Sequence, residues 1–203
     1  VVSNAKFVQV SKNDKAKRYI ANVKYISNQA DLALLEIKDK TFFNDTKPLK
    51  LTEDVKTSDT VTVLGYPIGG TALSTTKGVI SRIEMTTYTW SDERILAIQI
   101  DASINSGNSG GAAINDKDEI VGIVMQAYSE KVANSIGYII PSIIVNSFLE
   151  DIKDGKVDGY DNSRTKFQRL DNDSLKAYYN LKDNYGVVLN KVEDNEDVLK
   201  VDD

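Results

Sequence analysis

The chain has 203 residues, of which 41% are hydrophobic, and a formal net charge of −5 at pH 7. This acidic balance argues against a nucleic-acid partner, which requires a clustered basic face, and the length suffices for one sizeable core and a small second module. The chain contains no Cys, which excludes thiol catalysis and disulfide bridges. Its apolar runs are too short to cross a membrane.

Metal chemistry is not expected either, because a chain with neither Cys nor His lacks the ligands of an ordinary zinc site. Acidic residues cluster at Asp116–Glu119 and Asp194–Asp203. Neither cluster has the spaced carboxylates and central Gly of a calcium-binding loop. We therefore predict solvated turns at both places and no cofactor.

The first 140 positions are dominated by β-branched residues in period-two alternation, which is typical of strands. Loops rich in Asn, Asp, Gly, Ser and Thr separate these segments, and short strands at near-even spacing predict an all-β sandwich or barrel. The predicted strands are Lys6–Ser11, Tyr19–Ser27, Asp31–Ile37, Thr60–Tyr66, Lys77–Glu84, Ile95–Asp101, Glu119–Gln126 and Ile136–Ile140.

The pattern changes at Pro141, after which Ile144, Phe148 and Ile152 recur at helical spacing. Proline suits the start of this helix and Gly155 its C-terminal cap. We predict a first domain over 1–155, a linker over 156–166 and a second, incomplete domain over 167–203. In that last part, "NDSLKAYYNL" predicts a helix capped by Asn172 or Asp173, and Tyr185–Glu193 predicts a strand.

The stretch "NSGNSGGAAIN" places Ser109 among three glycines. Taken alone, "GNSGG" fits an ordinary tight turn as well as a catalytic loop. A serine becomes a nucleophile when a base takes its proton and N–H donors face the developing oxyanion. Gly107 would let the N–H groups of the loop converge, while Gly110 and Gly111 would leave room for a substrate backbone.

A catalytic base also needs a carboxylate that orients it, and "ADLALLEI" offers Asp31 where a strand enters the core. By itself Asp31 fits a turn cap better than a catalytic role. Because Ser109 lies downstream as a candidate nucleophile, a catalytic role for Asp31 becomes the favoured interpretation.

Six blocks follow one another in the order "ADLALLEI", "VTVLGYPIGG", "KGVISRIE", "IQIDASINSGNSGGAAIN", "IVGIVMQ" and "IGYIIPSIIV". Together they resemble the HtrA/Deg (DegP-like) family of chymotrypsin-like serine proteases over nearly all of residues 1–150. "GYPIGG", and "NSGNSGG" in place of the commoner asparagine-proline-glycine form, resemble the eukaryotic Deg branch. The resemblance implies two six-stranded β-barrels, Ser109 as nucleophile, Asp31 as triad acid, and Gly107, Asn108 and Ser109 as the oxyanion loop.

One departure from the family is the complete lack of His. In the family the catalytic His lies shortly before a pair of aliphatic residues that lead into a strand, and here Val1 and Val2 form that pair. We therefore expect the His, the opening strands of the first barrel and the trimerisation segment to belong ahead of Val1, so that this chain alone is inactive.

The family also carries PDZ modules after its protease domain, and "NYGVVLNKV" resembles the start of one. Tyr185, Gly186 and Val187 would then direct backbone N–H groups toward a peptide C-terminus. A generic helix–strand fragment remains the alternative.

For the primary substrate pocket, the chymotrypsin-like arrangement implies walls from the loop before the nucleophile and from two later strands. None of these positions carries an acid that would pair with a Lys or Arg side chain, so we expect small aliphatic residues to be preferred. The implied walls are Ser103, Ile104, Asn105, Val124, Met125, Gln126, Gly137, Tyr138 and Ile139.

Two functions follow from these observations. The first is an ATP-independent endopeptidase that degrades unfolded or misfolded proteins in stress response and quality control. The second is a chaperone or peptide-binding scaffold without catalysis. The resemblance further implies unfolded polypeptides and C-terminal peptides as partners, a homotrimer or larger oligomer, and an organelle lumen, secretory or periplasm-like compartment.

Overall fold

The structure, a computed structural model, describes residues 2–12, 17–66, 72–88, 94–105, 107–127, 136–160, 166–170, 172–181 and 186–191. The chain divides into two compact units, Val1–Gly159 and Tyr160–Asp203. The first unit contains a three-stranded sheet, a closed barrel and a helix. The second contains a two-stranded sheet and a short helix.

The three-stranded sheet is formed by β1 (Val8–Ser11), β2 (Arg18–Ser27) and β3 (Leu32–Ile37), all antiparallel in the order β1-β2-β3. Alternation along β2 places Tyr19 and Ala21 on the buried face, where Ile37 of β3 joins them. The ring of Phe42, in a short 3-10 turn, meets Tyr19 edge-on with 5.1 Å between ring centroids. This sheet therefore has a small core of its own.

Six further strands close into a barrel in the order β4-β5-β6-β9-β8-β7. Its ten-residue core alternates along the strands, and each of these residues is at most 2% exposed. A closed barrel leaves no free edge and lets the inward side chains fill the interior. The strands are β4 (Thr60–Gly65), β5 (Ser74–Thr87), β6 (Arg94–Ile100), β7 (Ala112–Ile114), β8 (Ile120–Ala127) and β9 (Gly137–Pro141).

The predicted mostly-β fold is confirmed, and each of the eight predicted strands is present with shifted ends. Of the two six-stranded barrels that the resemblance implied, the described residues form one closed barrel and one open sheet of three strands. Three strands are too few to close on themselves. Strand β7 was missed because its three residues, directly after Gly110 and Gly111, are too few to show an alternation.

The predicted helix is confirmed as α1 (Ser142–Asp151), followed by a 3-10 turn at Ile152–Asp154. Pro141 precedes the helix as its N-cap, and Gly155 ends the 3-10 turn with φ 94°. The Ser142 hydroxyl donates a hydrogen bond of 2.6 Å to the Ile120 carbonyl, which ties the helix to β8. No helix in the described ranges is long and apolar enough to cross a membrane.

The second unit pairs β10 (Lys166–Arg169) with β11 (Val187–Lys191) in antiparallel register and contains α2 (Asp173–Tyr178). Asn172 caps α2, because its side-chain oxygen accepts a 2.8 Å hydrogen bond from the Ser174 N–H. Leu170 and Val188 are buried. The helix and the second strand match their predicted positions, whereas β10 begins at the last residue of the predicted linker.

Candidate active site

A cavity of about 700 Å³ brings Asp31 and Ser109 into one site, although 78 positions separate them in the chain. Its walls are mostly apolar. They come from the turn before β3 and from β3 itself, from the Ser109 loop, from β8 and from α1. The apolar members include Ile26, Leu32, Leu34, Ile123, Met125, Val145, Phe148 and Leu149.

The Ser109 loop is held against β8 by backbone hydrogen bonds. The Gly110 N–H donates to the Val124 carbonyl and the Val124 N–H donates to the Gly111 carbonyl, each at 2.8 Å. Gly107 has φ 102° and Gly110 has φ 85°, a left-handed region that favours glycine. The glycines of the motif therefore serve the turn that presents Ser109.

Within the described part of the chain, the N–H groups of Gly107 and Ser109 donate to no acceptor, whereas the Asn108 N–H closes a turn on Asn105 at 3.0 Å. Two unused N–H groups beside a serine hydroxyl are the arrangement that an oxyanion hole needs. Of the predicted oxyanion residues, Ser109 lines the cavity and its chain neighbours Gly107 and Asn108 do not, and their catalytic role stays a prediction.

Asn108 is 2% exposed, and its side-chain oxygen has no hydrogen-bond partner among the described residues. The side chain packs on Gly65 at the end of β4, where an added Cβ would lie 2.8 Å from Asn108 Cγ. Gly111 is similarly confined, because a Cβ there would collide with the Leu64 carbonyl. The loop is consequently wedged against β4 as well as tied to β8.

Asp31 lies at the last position of the turn that enters β3, with φ 53°. The Ser27 hydroxyl accepts a 3.2 Å hydrogen bond from the Ala30 N–H, and both residues are buried, so the turn is anchored just before Asp31. Burial raises the pKa of the Asp31 carboxyl, and a hydrogen bond from the Tyr88 hydroxyl opposes that rise.

Tyr88 is a site residue that the sequence did not reveal. It directly follows β5, lines the cavity, and donates its phenol O–H to Asp31. Burial, followed by the hydrogen bond and the charge of Asp31, raises the pKa of this phenol far above its ordinary value. One tyrosine among ten, in the unremarkable stretch "TTYT", gives no local signal of this contact.

The predicted substrate pocket is only partly brought to this cavity, since Val124 and Met125 line it and the other predicted wall residues do not. The Ile139 side chain is fully buried in the barrel core. Tyr138 is 4% exposed, and its hydroxyl donates to Glu84 at 2.9 Å. The part of these two residues in a substrate pocket stays a prediction.

The remaining predicted wall residues lie on the loop before Ser109 and on the facing strands. Ile104 is half-buried and covers Gly137, where an added Cβ would lie 2.8 Å from Ile104 Cγ1. The Ser103 carbonyl accepts a 2.8 Å hydrogen bond from the Thr76 hydroxyl. The Asn105 carbonyl closes the turn before Ser109, and Gln126 pairs with Tyr138 between β8 and β9.

In the second unit, Gly186 and Val187 lie at the start of β11, and Tyr185 is outside the described residues. The Gly186 carbonyl accepts a 3.1 Å hydrogen bond from the Leu170 N–H. Val187 is 48% exposed. A role of these residues in peptide binding stays a prediction.

The described residues contain no cluster of three or more side chains suited to a metal ion. The sequence matches the family described as Trypsin-like peptidase domain over residues 1–123. Protease Do-like 2, chloroplastic, from Arabidopsis thaliana is 40% identical over 195 residues, which are 96% of this chain and 32% of that protein. The chain belongs to the HtrA/Deg family of trypsin-like serine peptidases.

Further relatives of this HtrA/Deg chain are similar in extent. Putative protease Do-like 3, mitochondrial, from Arabidopsis thaliana is 38% identical over 99% of the chain and 36% of its own length. The solved structure of the HtrA-type protease AlgW with decapeptide aligns with a TM-score of 0.66 at 25% identity, covering 96% of this chain and 58% of AlgW. The chain thus spans about a third of the two curated relatives' length.

Proposed function

We propose that this HtrA/Deg protein takes part in ATP-independent serine endopeptidase activity on unfolded polypeptides, with Ser109 as nucleophile and Asp31 as triad acid. The observation that carries the proposal is the shared cavity, which Asp31 and Ser109 line from two different sheets. A nucleophile and an acid brought together by long-range folding, with free loop N–H groups beside the serine, support acyl transfer.

Each group has a defined chemical task. Ser109 Oγ attacks the scissile carbonyl and loses its proton to a base. The N–H groups of Gly107 and Ser109, on either side of Asn108, stabilise the negative charge on the tetrahedral intermediate. Asp31 orients the base and stabilises its protonated form. The 203 residues contain no His, so they do not themselves supply the usual base of this triad.

For the primary pocket we propose a shallow, uncharged site. Ile104 already covers Gly137, which reduces the space below the nucleophile loop. A Lys or Arg side chain buried there would lack a partner at a cost of several kcal/mol, whereas an aliphatic side chain gains roughly 1.5–3 kcal/mol on burial. Cleavage after Val, Ala, Leu or Ile is the expected outcome.

The proposed partners are polypeptides. AlgW, an HtrA-type protease, was solved with a decapeptide, which supports peptide binding by this family. We further propose a homotrimer or larger oligomer and an organelle compartment, since two relatives are named as chloroplastic and mitochondrial. For the second unit we propose the start of a PDZ domain that receives a peptide C-terminus at Tyr185, Gly186 and Val187.

The test supplies the missing base. A chimera is made in which the family's His-bearing segment precedes Val1, and denatured casein is the substrate. We expect Ser109-dependent cleavage without ATP, with cuts after small aliphatic residues mapped by mass spectrometry. The Ser109→Ala chimera is the matched control. A folded chimera that cleaves no better than this control contradicts the peptidase proposal, and a majority of cuts after charged residues contradicts the pocket.

A further inference from the structure

Tyr88 connects the two sheets at the candidate active site. It follows β5 at the start of the β5–β6 connection, so it belongs to the barrel that carries Ser109. Its hydrogen-bond partner, Asp31, precedes β3 of the three-stranded sheet. The two side chains and Ser109 line the same cavity. This hydrogen bond therefore joins the nucleophile's barrel to the acid's sheet.

The cavity wall next to Asp31 is largely apolar. The adjoining wall residues of β3 are apolar, and the Ser27 hydroxyl accepts a hydrogen bond from the Ala30 N–H. Asp31 and Tyr88 are the titratable side chains among the residues that line the cavity. A half-buried carboxylate in an apolar wall is costly unless a donor satisfies it.

We propose that Tyr88 is a positioning residue for Asp31: its phenol O–H holds one carboxylate oxygen, and the other oxygen remains available to orient the catalytic base. The proposal rests on the proposed function for the catalytic task of Asp31. The hydrogen bond also favours the ionised carboxylate, which is the form that orients a base. The position of Tyr88 at the end of β5 then controls the orientation of Asp31.

The first test measures, in the 203-residue chain, how the Tyr88 hydroxyl affects the pKa of Asp31. The pKa of Asp31 is read from its carboxyl carbon by ¹³C NMR in wild type, in Tyr88→Phe and in Tyr138→Phe. Tyr138→Phe is the matched control, because it removes a phenol–carboxylate hydrogen bond of 2.9 Å to Glu84 on β5, away from Asp31. We expect the Asp31 pKa to rise by about one pH unit in Tyr88→Phe only.

An unchanged Asp31 pKa in folded Tyr88→Phe, or an equal rise in Tyr138→Phe, overturns the proposal. Should Tyr88→Phe fail to fold, the reciprocal variant decides. In Asp31→Asn the negative charge is gone, so the Tyr88 phenol should titrate at a lower pH than in wild type. A Tyr88 titration that is the same in both proteins overturns the proposal as well.

A second test uses the His-bearing chimera. A positioning residue contributes in the transition state, so Tyr88→Phe should lower kcat by about tenfold, leave KM unchanged and shift the acid limb of the pH–rate profile upward. A change in KM alone contradicts the role. If the chimera is inactive, the proposed function fails. The NMR titration of Asp31 still decides whether Tyr88 holds its carboxylate.

Discussion

The closed barrel and the three-stranded sheet hold the two candidate catalytic side chains by different physical means. The barrel surrounds ten core residues that are at most 2% exposed, and the loop of Ser109 is bonded to β8 and wedged against β4. The sheet buries Tyr19, Ala21 and Ile37, which are up to 9% exposed. Asp31 is held by a local turn and by Tyr88.

This difference shows that the two sides of a shared cavity can be supported by different kinds of interaction. Closure removes strand edges and allows dense packing, so the support of the Ser109 loop comes from the barrel's core. The open sheet has the smaller buried core, and within the described residues its outer strands β1 and β3 pair only with β2. Asp31 consequently depends on individual hydrogen bonds rather than on a packed core.

The largest predicted effect is the absence of catalysis in this chain, which brings Ser109 and Asp31 together but lacks the His that would act as the base. The 203-residue chain contains Ser109 and Asp31 but no His, and removal of a triad member costs about 10⁶ in kcat in a serine protease. We expect no casein cleavage by this chain above that of its Ser109→Ala variant. Turnover that Ser109→Ala abolishes would show that another residue serves as the base.

The next effect compares the two cores directly. Ile98 is fully buried in the barrel, and Ile37 is 8% exposed in the sheet. Ile98→Ala should lower the free energy of unfolding by about 4 kcal/mol and Ile37→Ala by about 2 kcal/mol, because a densely packed site collapses less around the new cavity. Urea denaturation measures both. Equal losses of unfolding free energy in the two variants would contradict the proposed difference in packing between barrel and sheet.

Two adjacent glycines, Gly110 and Gly111, test how the Ser109 loop is held against β4. An added Cβ at Gly111 would collide with the Leu64 carbonyl and lie 2.8 Å from the Asn108 carbonyl, whereas Gly110 has open space but φ 85°. We expect Gly111→Ala to destabilise by about 3 kcal/mol through this backbone overlap, and Gly110→Ala by about 1 kcal/mol through strain alone. Thermal unfolding of both variants gives the comparison, and a reversed order would contradict the wedge against β4.

The smallest predicted effect is the pH dependence of the stability that Asp31 contributes. Burial raises the pKa of Asp31 above its ordinary 3.8, so its contribution to stability is complete below pH 3.8 and is lost as pH rises through the folded pKa. Asp31→Asn, which tolerates φ 53°, should therefore be the more stable protein at pH 7. The difference should shrink as the pH falls through the folded pKa toward 3.8, and it should stay constant below that pH.

Asp39 in the same sheet region is the control of opposite sign. Hydrogen bonds from the Thr41 hydroxyl and N–H, followed by one from Lys17, lower the pKa of its carboxyl. Its contribution is present above the ordinary pKa and lost as pH falls through the folded pKa. Asp39→Asn should accordingly be less stable at pH 7, and thermal unfolding against pH should show opposite slopes for the two variants. Parallel slopes would mean that burial does not dominate at Asp31.

Several features of the site were predictable from the sequence because they depend on neighbours along the chain. Alternation identified β2 and β3, helical spacing of Phe148 and Ile152 identified α1, and the glycines around Ser109 identified a tight loop. The order of the six motifs identified the family, which in turn named Asp31. Each of these signals is local, because backbone geometry and side-chain periodicity are set over a few residues.

Tertiary structure decided the features that depend on contacts between distant segments. Packing of the three-stranded sheet beside the closed barrel put Asp31 and Ser109 on one cavity. Packing placed Ile104 over Gly137 and turned the Ile139 side chain into the core. The hydrogen bond from Tyr88 to Asp31 spans 57 positions, and no local pattern encodes such a contact, because it exists only once both sheets have packed around the same cavity.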